Sequence, residues 1–170
     1  MSDLRSAPVP PLSGGDHVRG PEGAPLVLVY GDFACSFCAL AFERLRDAPV
    51  RYAFRHFALR TKHPRSVPLA CAAEAAALQG AFWEMHDGLF ADQGRLEDPH
   101  LWDRVRTLGL DLDRFERDRR DDAVAARVQH DVRAGLRAGV AVTPTLFVAG
   151  KAHAGPPEPA WVSALAEGRG

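Results

Sequence analysis

The chain has 170 residues, a formal net charge of −1 at pH 7, 46% hydrophobic residues and 25% charged residues. This length suffices for one domain with a hydrophobic core and barely for two. The near-neutral charge offers no electrostatic attraction to nucleic acid or to an anionic membrane. No apolar run reaches the roughly 20 residues of a membrane-spanning helix, so we expect neither nucleic acid nor membrane among the partners.

The first 15 residues are small, polar and rich in proline, without the apolar segment of a secretory signal. They predict a disordered tail, followed by a single domain over residues 16–170. We therefore expect a cytoplasmic protein, or a periplasmic or exported one if a signal was trimmed.

The three cysteines are too few for a disulfide scaffold, and a close pair is more typical of redox or metal chemistry.

The first part of the domain predicts a strand, a helix and a second strand. A short edge strand is expected around Val18. The apolar run 26–30 predicts a buried strand because it is continuous, short and rich in β-branched residues. Helical spacing follows over 36–45, and alternation over 50–59 predicts the next strand. Such a unit places its two strands parallel in one sheet.

The middle and end of the chain predict a helical insertion and a return to sheet. The insertion covers about 64–139, and its predicted helices are 69–78, 82–90, one capped by Asp98, one around Phe115 and one opened by Asp121 or Asp122. In the last of these, one buried face is expected from Val124, Val128, Val132 and Leu136.

The final segments predict a strand at 145–148, a tight turn at Gly150-Lys151, a strand at 152–154 and a helix at 159–167. The order is β-α-β, a helical insertion, then β-β-α. This order predicts an α/β fold.

Two cysteines, Cys35 and Cys38, stand where the first strand gives way to the first helix. Cys35 precedes the helix, whose first turn presents unpaired N–H groups and a partial positive charge that favour a thiolate. The pKa of a thiol, ordinarily about 8.5, falls in such a motif. Cys38 shares a helix face with three apolar residues, Ala41, Phe42 and Leu45. We predict that Cys35 is an exposed, activated nucleophile and Cys38 a buried resolving thiol.

Four stretches of sequence together point to a known family. They are Y-G-D-F-A-C-S-F-C (30–38), F-R-H-F-A-L (54–59), A-A-E-A-A with Q-G-A-F-W-E-M-H (72–76 and 79–86) and G-V-A-V-T-P-T (139–145). From about Asp16 to its C-terminus the chain resembles bacterial DsbA-like thiol–disulfide oxidoreductases. This resemblance implies a thioredoxin fold with a helical insertion.

The resemblance also implies roles for individual residues. Cys35 resembles the nucleophile of the family and Cys38 its resolving cysteine. Pro144 resembles the cis-proline that faces them, and Thr143 the preceding residue, whose backbone pairs with an extended substrate and whose hydroxyl is placed to meet the Cys35 thiolate. The implied reaction is disulfide exchange with protein or small-molecule thiols. It needs a separate redox partner and no metal, flavin or nicotinamide cofactor.

Three positions depart from the family pattern. The active-site dipeptide is Ser36-Phe37, where the best-known oxidants have Pro-His. Without an ionisable group there, we expect a weaker oxidant. Val29 stands where thioredoxin-fold enzymes often bury a carboxylate, so acid–base help to the resolving thiol must come from Asp32 or water. Val142 replaces a usual glycine and is expected to narrow the substrate groove.

Other classes of function remain open. The cysteines are half of a zinc site if His56, His63 or Cys71 completes it, although no second Cys-X-X-Cys exists. Cys71 itself is predicted to be a small buried apolar residue. A glutathione-dependent transferase or isomerase of similar fold would use serine or a lone cysteine. A non-catalytic thioredoxin-like binding module, related to those appended to transporters, would keep the fold without turnover.

Overall fold

A computed structural model describes residues 6–169. Its elements in chain order are β1 (His17–Arg19), β2 (Leu26–Gly31), α1 (Ser36–Leu45), β3 (Arg51–His56), α2 (Ser66–Ala77), α3 (Phe82–Ala91), α4 (Asp98–Thr107), α5 (Leu112–Asp118), α6 (Asp122–Arg137), β4 (Thr145–Val148), β5 (Lys151–Ala154) and α7 (Pro159–Ala166). Helices α2 to α6 separate β3 from β4, which confirms the predicted order of elements. Within residues 6–169, no helix has both the length and the apolar character needed to span a membrane.

The five strands form one mixed sheet in the order β1-β3-β2-β4-β5. Strands β2 and β3 are parallel, and Gly31 at the end of β2 lies opposite His56 at the end of β3. The other neighbours are antiparallel. The carboxyl ends of β2 and β3 therefore meet at one edge of the sheet, immediately before the cysteines.

Strand β2 is apolar throughout because both of its faces are covered. Val27 and Val29 belong to the larger hydrophobic cluster, which also holds side chains of α1 and of the insertion. Leu28 and Tyr30 belong to a second cluster, with Phe147 of β4. Successive strand residues point to opposite faces, so a continuous apolar run is what a central strand between two packed layers requires.

The hairpin after β4 differs from the predicted turn by one residue. Val148 pairs with Lys151, so the two turn residues are Ala149 and Gly150 rather than Gly150 and Lys151. Their φ angles are 48° and 78°. Two positive φ angles are typical of a type I′ turn, and Lys151 instead begins β5.

Helix α6 corrects the predicted buried face. Val124 and Val128 are buried, but Leu136 is 55% exposed, and Ala134 and Gly135 are buried in its place. Each four-residue step rotates about 40° beyond a full turn of helix. Three such steps carry Leu136 about 120° away from Val124, which moves it out of the interface.

Residues 6–15 lie along the domain, which differs from the predicted disordered tail. The buried guanidinium of Arg55 donates to the carbonyl oxygens of Pro10 and Pro11, both at 2.9 Å. It also donates to the carboxylate of Asp16 at 2.7 and 2.8 Å. A buried guanidinium needs acceptors for its N–H groups, and this segment supplies them. Residues 1–5 of the predicted tail lie outside the described residues.

Candidate active site

The cysteine pair (Cys35 and Cys38) lies between the carboxyl end of β2 and the first turn of α1. Cys35 is the N-cap residue of α1, with an extended backbone and no side-chain hydrogen bond to the helix. Cys38 is buried on the core side of α1, as its helical spacing predicts. Both are free thiols. Cys35 is only 7% exposed, so the prediction of an exposed nucleophile is wrong.

The cover over Cys35 comes from the cis-proline loop (Val142, Thr143 and Pro144), which precedes β4. The peptide bond between Thr143 and Pro144 is cis. The Cys35 thiol donates to the carbonyl oxygen of Thr143 at 3.5 Å. This contact joins residues 108 positions apart in the chain, and it explains the low exposure of the nucleophile.

The two thiols have opposite acid–base properties. Hydrogen bonds from the Cys38 thiol, the Thr143 side chain and backbone N–H groups of α1 outweigh burial and lower the pKa of Cys35 to about 5. Burial, together with the neighbouring Cys35, raises the pKa of Cys38 far above its usual range. At neutral pH the pair therefore holds a thiolate at Cys35 and a thiol at Cys38.

Asp32 is a buried carboxylate beside the cysteine pair. Its backbone N–H donates to Sγ of Cys38 at 3.4 Å. Its carboxylate accepts from the backbone N–H of Ala34 at 2.9 Å and from the hydroxyl of Ser66 at 2.5 Å. Burial raises the pKa of Asp32. Since Ser66 begins α2, Asp32 connects the turn before the cysteines to the helical insertion.

Gln93, just after α3, holds the backbone that leads into α1. Its side-chain amide donates to the carbonyl oxygens of Phe33 at 2.8 Å and Cys35 at 3.0 Å. Sequence reasoning missed this residue, because a single polar residue in a loop carries no signal of a contact about 60 positions away.

The surface near Cys35 is apolar. Phe37 of the active-site dipeptide is 60% exposed, and its neighbour Ser36 is exposed as well. Leu40 on α1 and Val142 on the cis-proline loop also expose apolar side chains. Exposed apolar groups beside a nucleophile are typical of a binding surface.

Two of the residues considered for a zinc site at the cysteines, His56 and Cys71, contact other parts of the protein. His56 contacts Glu74, with Nε2 and Oε1 separated by 2.7 Å. Cys71 is buried in a small cluster with side chains of α6. Within residues 6–169, the single group of three or more clustered metal-ligating side chains contains no cysteine.

This fold, with a cysteine pair at a helix N-terminus facing a cis-proline loop, defines the thioredoxin-like class. A family model described as thioredoxin matches residues 12–167. The chain belongs to this family.

Curated relatives match the chain over part of their own length. It is 46% identical over 147 residues to the Na⁺/H⁺ antiporter NhaA 3 of Salinispora tropica, covering 83% of this chain and 22% of that protein. The chain is 43% identical over 165 residues to the Na⁺/H⁺ antiporter NhaA 1 of Mycolicibacterium gilvum, covering 91% of this chain and 27% of that protein. The chain thus spans about a quarter of the length of these relatives.

Solved structures confirm the fold. A thioredoxin-like oxidoreductase from Silicibacter pomeroyi has a TM-score of 0.80 at 24% identity, over 91% of this chain and 92% of that chain. The thiol–disulfide exchange protein alpha-DsbA2 from Wolbachia pipientis has a TM-score of 0.77 at 19% identity, over 91% and 87%. The predicted DsbA-like architecture, a thioredoxin fold with a helical insertion, is therefore confirmed.

Proposed function

We propose that the chain is a protein dithiol–disulfide oxidoreductase that acts through Cys35 and Cys38. The observation that carries this proposal is geometric: Cys35 caps α1 opposite the cis-proline loop, and Cys38 is buried beside it. This arrangement lowers the pKa of Cys35 and raises that of Cys38. A thiolate is the attacking species in disulfide exchange. The buried thiol beside it is placed to resolve the mixed disulfide.

The reaction proceeds in two exchanges. The Cys35 thiolate attacks one sulfur of a substrate disulfide, forming a mixed disulfide and releasing a substrate thiolate, which takes a proton. Cys38 then loses its proton and attacks Sγ of Cys35, which releases the second substrate thiolate. The substrate gains two electrons, and Cys35 and Cys38 become a disulfide. The reverse sequence oxidises a substrate dithiol.

The substrate is proposed to bind along the cis-proline loop as an extended peptide. Before ionisation, the Cys35 thiol donates to the Thr143 carbonyl. Loss of that proton leaves the carbonyl oxygen free to accept an N–H from a substrate strand. Phe37 and Val142 supply exposed apolar contacts, which favours unfolded or extended chains with apolar side chains near their cysteines.

The direction of electron flow is tested by the equilibrium potential of the cysteine pair in glutathione buffers. A stabilised thiolate favours the reduced form and hence an oxidant, whereas the Ser36-Phe37 dipeptide predicts a weaker oxidant than its relatives. A potential near −270 mV, roughly that of thioredoxin, would support a reductant and the predicted cytoplasmic location. A much higher potential would support an oxidant acting outside the cytoplasm.

The activity itself is tested by insulin reduction and by oxidative refolding of a reduced protein. The variant Cys35→Ser should lose both activities, because no other thiolate is placed to attack. The matched control Cys71→Ser should retain them, since Cys71 is buried among side chains of α2 and α6. Activity retained in Cys35→Ser would overturn the proposal.

A second candidate function is favoured by the curated relatives, which are Na⁺/H⁺ antiporters that the chain matches over 22–27% of their length. It is a non-catalytic thioredoxin-like module that is attached to, or docks on, such a transporter. Co-purification of the tagged chain with an NhaA antiporter from membranes, without activity in the insulin or refolding assay, would favour this role. Exchange activity lost in Cys35→Ser would favour the enzyme.

A further inference from the structure

Three metal-ligating side chains from distant parts of the sequence converge beneath the sheet edge. They are His17 on β1, His56 at the end of β3 and Glu74 on α2. Their ligand atoms all lie within 4.8 Å of one another. Nε2 of His17 and Nε2 of His56 lie 2.8 and 2.7 Å from the same carboxylate oxygen, Oε1 of Glu74. We refer to these residues as the histidine–glutamate cluster.

The histidine–glutamate cluster is held in place by aromatic packing. The His17 ring stacks on Phe82 at a centroid distance of 3.4 Å and an interplanar angle of 6°. The His56 ring meets Phe54 and Phe82 edge to face. Because these contacts fix both ring planes, the two Nε2 atoms point at Glu74 without any need for rearrangement of the backbone.

The three side chains of the cluster are buried to different degrees. The side chain of His56 is 1% exposed and that of Glu74 is 9% exposed, while that of His17 is 18% exposed. An ion can therefore enter past His17 and lose most of its water at His56. Oε1 of Glu74 is the shared partner of both imidazoles, so the three ligand atoms face one another across a small space.

We propose that His17, His56 and Glu74 form a binding site for one divalent transition-metal ion, with Zn²⁺ as the best match. Two imidazoles and one carboxylate are a donor set that Zn²⁺ takes, at about 2.0–2.2 Å per bond. Tetrahedral bonds of that length put ligand atoms about 3.4 Å apart. The two Nε2 atoms, now 2.8 and 2.7 Å from Oε1 of Glu74, must therefore each move away from it by about 0.6–0.7 Å when the ion enters. The metal replaces both contacts to Oε1, and each neutral imidazole then carries its proton on Nδ1. A fourth position is left for water.

The site contains neither cysteine of the pair, although it lies close to them. The ring of Phe33 lies 6.0 Å from that of His56, and Phe33 precedes Cys35 by two residues. A bound ion would join β1 and β3 to α2, so it would fasten the helical insertion to the sheet. Since ligands in the unfolded chain are dispersed, binding would also stabilise the folded state.

The test uses the full chain carrying Cys35→Ser and Cys38→Ser, so that the cysteine pair contributes nothing to metal binding. Zn²⁺ is titrated calorimetrically, and Co²⁺ is added separately to read its ligand-field absorption, which is intense in a tetrahedral site. One Zn²⁺ per chain and a tetrahedral Co²⁺ spectrum are expected. Because the parent lacks the cysteine pair, the outcome is independent of exchange activity.

Variants locate the ion. His17→Ala should weaken Zn²⁺ binding by at least about tenfold, because it removes a ligand, and its partly exposed position keeps the risk of misfolding low. Glu74→Gln keeps the shape of the side chain and should weaken binding similarly. His130→Ala, at an exposed position of α6, should bind as the parent does. The absence of stoichiometric binding in the parent, or equal affinity in His17→Ala and the parent, would overturn the proposal and leave the cluster as a hydrogen-bonded structural group.

Discussion

The cysteine pair and the histidine–glutamate cluster both lie at the carboxyl ends of β2 and β3, yet the hydrogen bonding of their ionisable groups differs. The Cys35 sulfur lies 3.5 Å from the Thr143 carbonyl oxygen and also meets the Cys38 thiol and N–H groups of α1. In the cluster, both imidazoles meet the Glu74 carboxylate at 2.8 Å or less. The first site stabilises a reactive anion with several donors at a helix end, whereas the second brings two imidazoles to one carboxylate oxygen.

The difference follows from where each group sits in its element. Cys35 is a helix N-cap, where N–H groups of the helix stabilise a thiolate without fixing the thiol in place. Glu74 lies inside α2 and meets side chains from two strands, so its geometry is fixed by packing. Cys35, at the end of a helix, can therefore react, whereas Glu74, held by contacts with residues of two strands, is suited to binding a ligand.

The largest expected effect is the difference in reactivity between the two cysteines. At pH 7, iodoacetamide should modify Cys35 at least about a thousandfold faster than Cys38, because only the thiolate reacts. The Cys35 rate should be constant at neutral pH and fall by half near pH 5, since protonation below that pH removes the thiolate. Mass spectrometry of the reduced protein after timed labelling gives both rates.

The control for this experiment is Cys35→Ser, in which fast labelling should disappear. A midpoint near the pKa of free cysteine, about 8.5, would show that the surroundings of Cys35 do not stabilise its thiolate. Faster labelling of Cys38 would reverse the assigned roles.

The next largest effect is a loss of stability in the histidine–glutamate cluster that leaves the cysteine pair unchanged. Without metal, Glu74→Ala should lower the free energy of unfolding by about 3 kcal/mol, since it leaves buried imidazole N–H groups without an acceptor. The midpoint of Cys35 labelling should stay near pH 5. Urea denaturation in the presence of a chelator measures the first quantity. Glu43→Ala, at an exposed position of α1, is the matched control. A shift of the Cys35 labelling midpoint in Glu74→Ala would show that the two regions are coupled.

A smaller effect is expected at Gln93. Gln93→Ala removes donors from two backbone carbonyls next to the nucleophile, and should destabilise the protein by about 1–2 kcal/mol. Urea denaturation checks this value. Gln129→Ala serves as control, because Gln129 is exposed on α6 and its one hydrogen bond is to Arg133 on the same helix. Equal stability of the two variants would show that the Gln93 contacts contribute nothing.

Local features of the sequence predicted much of the fold and half of the candidate site. The spacing of Cys38, Ala41 and Phe42 placed α1 and its buried face correctly, because a helix repeats every 3.6 residues regardless of what surrounds it. Capping was predicted in part: the Asp121 side chain accepts a hydrogen bond from the first turn of α6. The predicted cap Asp98 is instead the first residue of α4, whose N-cap is Glu97.

Long-range contacts escaped prediction. His17 and Glu74 are 57 positions apart and Gln93 and Cys35 are 58 apart, so neither pair leaves a trace in local spacing. The contact between Cys35 and Thr143 was expected only through the family resemblance, and local spacing did not predict how deeply Cys35 is buried. Pairings of this kind depend on the three-dimensional arrangement of elements, which composition and periodicity do not encode.

The smallest expected effect concerns the charge of Asp32. The Asp32 carboxylate and the Cys35 thiolate repel each other, so neutralising Asp32 should favour the thiolate. In Asp32→Asn, the midpoint of Cys35 labelling should move to lower pH, and the rate at pH 5 should rise by about 1.3-fold, below the twofold limit that complete ionisation would set. The asparagine oxygen still accepts from the backbone N–H of Ala34, and its NH2 group replaces the oxygen that accepts from Ser66 and donates to the Ser66 hydroxyl instead, so stability should change little. Asp47→Asn, whose side chain is 89% exposed in the wild type, controls for the loss of a surface charge. A midpoint that moves to higher pH would show instead that Asp32 stabilises the thiolate, and would make the Ser66 contact part of the reactive site.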